Sequence, residues 1–204
     1  MSKKSFRGGA MLNPVPAVMV SAGREKPNII TIAWTGIVNT NPPMTYISVR
    51  PERYSHDIIE SEGEFVVNLV TEELAKACDF CGVRSGRDID KFGVMNLTKE
   101  EARIVSCPMI GESPVSIECR VIEKKRLGTH DMFLAEIVNV NVDEQYIDGD
   151  GRIRLDKASL VAYNHGEYFG LKRQPIGRFG FSVMKPKTKK RINREKHNRK
   201  KKSD

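Results

Sequence analysis

Residues 28–59, NIITIAWTGIVNTNPPMTYISVRPERYSHDII, decide how the chain folds. They read as a strand, a Pro-rich connection, a second strand, a tight turn and the start of a helix. The connection is Asn39-Thr40-Asn41-Pro42-Pro43, whose two prolines cannot donate to a sheet ladder. In the second strand Thr45, Ile47 and Val49 fall on one face, which suits a core. Tyr46, Ser48 and Arg50 fall on the other, a polar face that needs water or a ligand. Ser55 then stands where a helix N-cap belongs, flanked upstream by Arg50 and Arg53. Free N–H groups at a helix start attract anions, and a guanidinium fork matches phosphate oxygens. The same residues would also serve an ordinary surface strand with solvated arginines.

Outward from this stretch the punctuation is plain. Pro14 to Ala22 reads as a short strand, and Gly23-Arg24-Glu25-Lys26-Pro27 turns the chain into Asn28. Glu64 to Val70 is a continuous apolar strand, after which Thr71 is placed to cap a second helix with Glu72 and Glu73 in its first turn. Leu74, Ala77, Cys78 and Cys81 recur at helical spacing on one face. That spacing makes Cys78 and Cys81 buried, reduced core residues rather than half of a zinc site, since Cys107 and Cys119 stand alone. A redox dithiol is the competing reading. Residues 85–93, SGRDIDKFG, form a polar loop. Val115 to Ile122 and Met132 to Val142 alternate as a hairpin around Gly128 and His130. Asp148-Gly149-Asp150-Gly151 is a turn, because the twelfth position of a calcium loop would be Ser159 and not Glu.

At 204 residues, with 39% hydrophobic and 29% charged side chains, the chain has the makings of one globular domain. No apolar run approaches the ~20 residues of a membrane span. The basic start MSKKSFR lacks the apolar stretch of a secretory signal, and four scattered cysteines fit a reducing compartment, so a cytoplasmic protein is expected. The net charge of +8 is carried by the end of the chain: Lys185 to Asp204 holds eleven Lys+Arg against two Asp+Glu, and positions 1–184 hold twenty-three against twenty-four. This tail has only Ile192 as a large apolar residue and is expected to be disordered in isolation. It suits nucleic acid, acidic lipid or an acidic partner, or serves only as a solubility tail. The domain reading is therefore 1–184 with a basic tail at 185–204.

Asn28, Ala33-Trp34-Thr35-Gly36, Asn41-Pro42-Pro43, Ser48-Val49-Arg50 and Ser55-His56 together resemble the flavin reductase-like family of FMN-binding split barrels, which includes the flavoredoxins. Ser85-Gly86-Arg87-Asp88-Ile89-Asp90-Lys91-Phe92, Gly128-Thr129-His130 and Gly166-Glu167-Tyr168-Phe169-Gly170-Leu171 continue the match in order, over roughly residues 10 to 172. The resemblance implies a mainly β protein with inserted helices, folded as a split β-barrel. The strand spacing agrees, and no G-x-G-x-x-G follows a strand to open a Rossmann domain.

The resemblance further implies FMN as cofactor, its phosphate at Arg50 and Ser55. The ring would lie against Asn28, Trp34, Thr35, Lys91, His130 and Tyr163. Gly36, Ser48, Val49 and His56 stand in the same motifs and count with the cofactor-binding residues. Lys91 would place a cation by the N1/C2=O edge, and His130, the catalytic candidate, would sit where an electron donor docks. The implied protein is a homodimeric oxidoreductase that takes electrons from a reduced nicotinamide nucleotide or a protein donor and needs no metal. The alternative is a nucleic-acid- or acidic-partner-binding protein acting through its tail, against which the near-neutral remainder of the chain argues.

Overall fold

The computed structural model describes residues 1–172 and 174–188. The chain divides into two compact units, Met1–Leu171 and Lys172–Asp204. The first closes thirteen residues short of the expected boundary at 184. The expected basic tail lies, beyond residue 188, outside the described residues.

The first unit runs β1 (Val15–Pro16), β2 (Val18–Ala22), β3 (Asn28–Ile32), β4 (Thr35–Thr40), β5 (Pro43–Val49), α1 (Tyr54–Glu62), β6 (Glu64–Leu69), α2 (Ala75–Val83), α3 (Lys91–Val94), β7 (Lys99–Glu100), β8 (Met109–Ile110), β9 (Val115–Arg126), β10 (Asp131–Val142), β11 (Val161–Asn164) and β12 (Glu167–Gly170). Seven strands form one antiparallel sheet in the order β3-β2-β6-β9-β10-β5-β4, and β1-β11-β12 and β7-β8 flank it.

That order forces the sheet to curl. β3 and β4 are its opposite edges, yet only Ala33 and Trp34 join them. Two residues span three Cα steps, about 11 Å, whereas a flat seven-stranded sheet is about 29 Å wide. The edges therefore come side by side without a ladder between them, while Ser48 N–H donates to Trp34 C=O at 2.9 Å and continues the β4–β5 pairing up to the turn itself. This is a split barrel. The single strand expected from Asn28 onward is two strands on opposite edges, and the stretch before it divides likewise, β1 pairing with β11 while β2 enters the main sheet.

The barrel interior holds Val20, Ile32, Ile47, Val49, Phe65, Phe133 and Ala135, with Ile59 of α1 plugging it. Thr45, Ile47 and Val49 face inward as their alternation requires. β2 is buried on both faces because its second face, with Met19, meets Leu74, Ala77, Cys78, Cys81 and Phe92 of the α2–α3 layer. The expected cysteine face is this contact. Burial pushes the thiols of Cys78 and Cys81 up to about 12 and about 11, leaving them unreactive near neutral pH.

Local capping differs from expectation in three places. Arg53, with no side-chain cap, precedes α1, and Ser55 is fully buried inside the first turn. Thr71 caps a turn before α2, accepting Leu74 N–H at 3.2 Å, and Leu74 itself precedes the helix. Asp90 caps α3 by accepting Phe92 N–H at 3.1 Å, so Lys91 opens a short helix instead of riding in a loop. Gly63 ends α1 at φ +69°, a left-handed conformation that favours glycine, and its N–H reaches Ile59 C=O.

Candidate functional site

Where β3, the β5–α1 turn and the α2–α3 connection meet, the surface opens into a two-chambered cleft. The first chamber, about 240 Å³, is walled by Asn28 and Ile30 of β3, by Arg50 to Ser55, by Cys81 and Arg84 to Arg87, and by Lys91. The second, about 150 Å³, is walled by Ile30 to Trp34, by Ser48 to Arg50, by Arg53 and by His130. Ile30, Arg50 and Arg53 belong to both walls, so the chambers adjoin.

The first chamber is cationic by construction. Arg50, Arg53, Arg84 and Arg87 ring it. Arg87 ties the α2–α3 connection to α1: its guanidinium donates to Glu52 C=O at 3.1 Å and lies over the Tyr54 ring at 5.4 Å. Arg50 meets Glu52 at 3.5 Å on the exposed rim. Among the described residues neither Arg53 nor Arg84 makes an ion pair within 4.0 Å, although the Glu52 carboxylate feels the Arg53 charge. Asn28, buried, donates its amide to Ser55 Oγ at 2.8 Å and so locks β3 to α1. Gly86 packs onto that amide so closely that a Cβ there would run into it.

Lys91 is the floor. It is buried, and its ammonium donates to Ile29 C=O at 2.6 Å and Cys81 C=O at 2.8 Å. An ammonium has three protons, so one donor remains. Burial, with Arg53 adding to it, brings its pKa down to about 8, against a smaller opposing pull from Cys81. The second chamber is flatter and mixed. Trp34, 38% exposed, and His130, its Nδ1 3.0 Å from Thr129 Oγ1, both line it.

The chain matches the family model for the flavin reductase-like domain over residues 10–172. It belongs to the flavin reductase-like family. A protein of Archaeoglobus fulgidus is 33% identical over 138 residues, 68% of this chain and 78% of that one. The flavoredoxin of Desulfovibrio vulgaris superposes with a TM-score of 0.82 at 29% identity, covering 89% of this chain and all of that one. The flavoredoxin of Methanosarcina acetivorans gives 0.80 at 27%, over 90% and all. The split barrel expected from the sequence is thus shared with family members of known structure, and a flavin-related redox function comes with the family.

The cleft suits a flavin. A ring of guanidinium groups offers paired donors for a phosphate, and a half-exposed indole offers a face for a flat heterocycle. Of the residues named from the sequence, Asn28, Arg50, Ser55 and Lys91 wall the cationic chamber, and Trp34, Ser48, Val49, Arg50 and His130 wall the other. Four others lie elsewhere. Thr35 Oγ1 donates to Tyr46 C=O at 2.5 Å and Gly36 makes room for the Tyr46 ring, so both shape β4 against β5. His56 is buried with Nε2 3.0 Å from Asp131 Oδ2 and its ring against Phe133, tying α1 to β10 inside the barrel. Tyr163 on β11 packs edge-to-face on Tyr168 at 5.4 Å. Lys91 differs in placement: it belongs to the arginine chamber, not to the chamber of Trp34 and His130. Sequence reading passed over Arg84, Gly86 and Arg87 as site residues. The signal was an Arg-x-x-Arg pair around a glycine directly after a helix.

Proposed function

We propose that the protein binds one FMN per chain, with the phosphate among Arg50, Arg53, Arg84, Arg87 and Lys91 and the ring between Trp34 and His130. The observation that carries this reading is the adjoining pair of chambers, one ringed by four arginines and the other bounded by an indole and an imidazole. A terminal phosphate carries up to two negative charges, which the guanidinium groups of Arg53 and Arg84 match; this favours FMN. Bound flavin supplies hydride acceptance and electron release. The protein's part is to orient the ring, screen the phosphate charge and, at His130, hold or move a proton beside the ring edge where a donor docks.

The electrons come, in this reading, from a reduced nicotinamide nucleotide or a protein donor and pass to a separate acceptor. A homodimer is part of the proposal. β4 is a sheet edge on which Ile37 and Val38 are 65% and 51% exposed, an unusual arrangement for an edge that stays alone in water. The test is the absorbance spectrum of the purified protein, with the released cofactor identified chromatographically. FMN at one equivalent per chain supports the reading, and protein that neither carries nor takes up flavin overturns it.

A further inference from the structure

Past Leu171 the chemistry of the chain changes. From Lys172 onward it carries fourteen Lys+Arg against two Asp+Glu, which leaves twenty against twenty-four in residues 1–171. The family match stops at residue 172, so this extension lies outside the flavin domain. It is not simply basic. Ile176, Phe179, Phe181 and Val183 fall within eight residues and are 99%, 110%, 56% and 83% exposed. Arg178 stands among them, and Lys185 and Lys187 follow directly.

We propose that residues 176–187 are a peripheral membrane-docking segment for anionic phospholipid surfaces. Its four apolar side chains enter the headgroup–acyl boundary and its lysines and arginines pair with the headgroups. Bulky apolar side chains left in water close together mark a surface that something covers. The adjacent charge says what kind of surface that is. A basic cluster beside a negative leaflet gains attraction with each Lys or Arg, and stable anchoring takes two signals, one apolar and one electrostatic. Both are present within this segment. Single-stranded nucleic acid would use the two phenylalanines as stacking platforms and the same basic groups for its phosphates. Ile176 and Val183 have no π-face, so stacking leaves half of the exposed apolar set without a role, whereas insertion uses all four.

The inference is independent of the flavin reading and is tested on the full-length protein by flotation with lipid vesicles. Vesicles of phosphatidylcholine and phosphatidylserine in equal parts are compared with vesicles of phosphatidylcholine alone. The protein is expected to float with the first and not with the second. Phe179→Ala with Phe181→Ala should lower the partition by about tenfold or more. Replacing Lys185 and Lys187 by Gln should lower it by about fivefold per lysine. All variants should keep the flavin content of the parent, which places the loss in the segment. No flotation with anionic vesicles overturns the proposal. So does a vesicle partition that the phenylalanine substitutions leave unchanged while a DNA oligonucleotide competes fully, since that outcome is a polyanion arm without insertion.

Discussion

Arg53 and Lys91 concentrate the chemistry of the cationic chamber in two side chains. Arg53 makes no ion pair within 4.0 Å among the described residues and walls both chambers, so truncating it removes charge from the phosphate end and gives up only its long-range pull on the exposed Glu52. Arg53→Ala should weaken FMN binding by about 1.5–3 kcal/mol, tenfold or more, at unchanged thermal stability; flavin fluorescence titration measures it. Lys91 titrates near 8 in the folded protein, below its ordinary value of 10.5. In the flavin-free protein the unfolded chain holds this proton more tightly, so the group's penalty is present below pH 8 and is relieved as pH rises toward 10.5. A phosphate in the chamber reverses the preference. FMN binding just above pH 8 should therefore take up a fraction of a proton, seen by calorimetry in buffers of different ionisation enthalpy. The uptake should vanish in Lys91→Met. At this scale the sequence exposed Asn28, Arg50 and Ser55 as candidates through their place beside a turn and a helix start. It hid the partner of Ser55: a buried serine that accepts from Asn28 has the same local pattern as a helix cap.

Among the elements, the loop of residues 102–107 shows how a buried charge fixes a connection. Glu118 of β9 is fully buried and accepts the N–H groups of Arg103, Ile104 and Val105 and the amides of Asn139 and Asn141. Burial alone would raise its pKa, but the side-chain and backbone donors outweigh it and hold the carboxyl at about 2, below its ordinary 4.5. A depressed carboxyl pKa stabilises the fold above the unfolded value. This contribution should be intact above pH 4.5 and lost as pH falls toward 2. Glu118→Ala orphans five donors and should cost about 3 kcal/mol or more in urea unfolding at neutral pH, while Glu118→Gln should cost less and flatten the acid limb. The β9–β10 hairpin was legible because two long strand-forming runs flank a short polar connection holding Gly128, although two register shifts break their pairing. The break between β3 and β4 was not, since Ala33 and Trp34 carry none of the glycine or proline that marks a turn. Their role follows from sheet order, which no local pattern contains.

For the whole molecule, barrel closure sets where the cleft lies. The two-residue connection brings both sheet edges together, and Trp34 sits at that seam in the wall of the chamber that His130 also lines. The exposed β4 edge makes association a further expectation: Ile37→Lys should shift the particle from dimer to monomer in light scattering. Fold class was readable because ordered motifs carried a family resemblance; that resemblance also placed Thr35 and Tyr163 by the ring and counted Gly36 and His56 with their motifs. In this chain those four bond and pack within the protein. The claim on which the rest depends is that the arginine chamber holds a phosphate while the adjoining chamber holds a ring. Equilibrium titration of the full-length protein with FMN and with riboflavin, which differ only in that phosphate, tests it directly. Two or more charge-assisted contacts at about 1.5–3 kcal/mol each predict FMN binding about a hundredfold tighter or more, at one per chain. Equal affinity for the two flavins would contradict it.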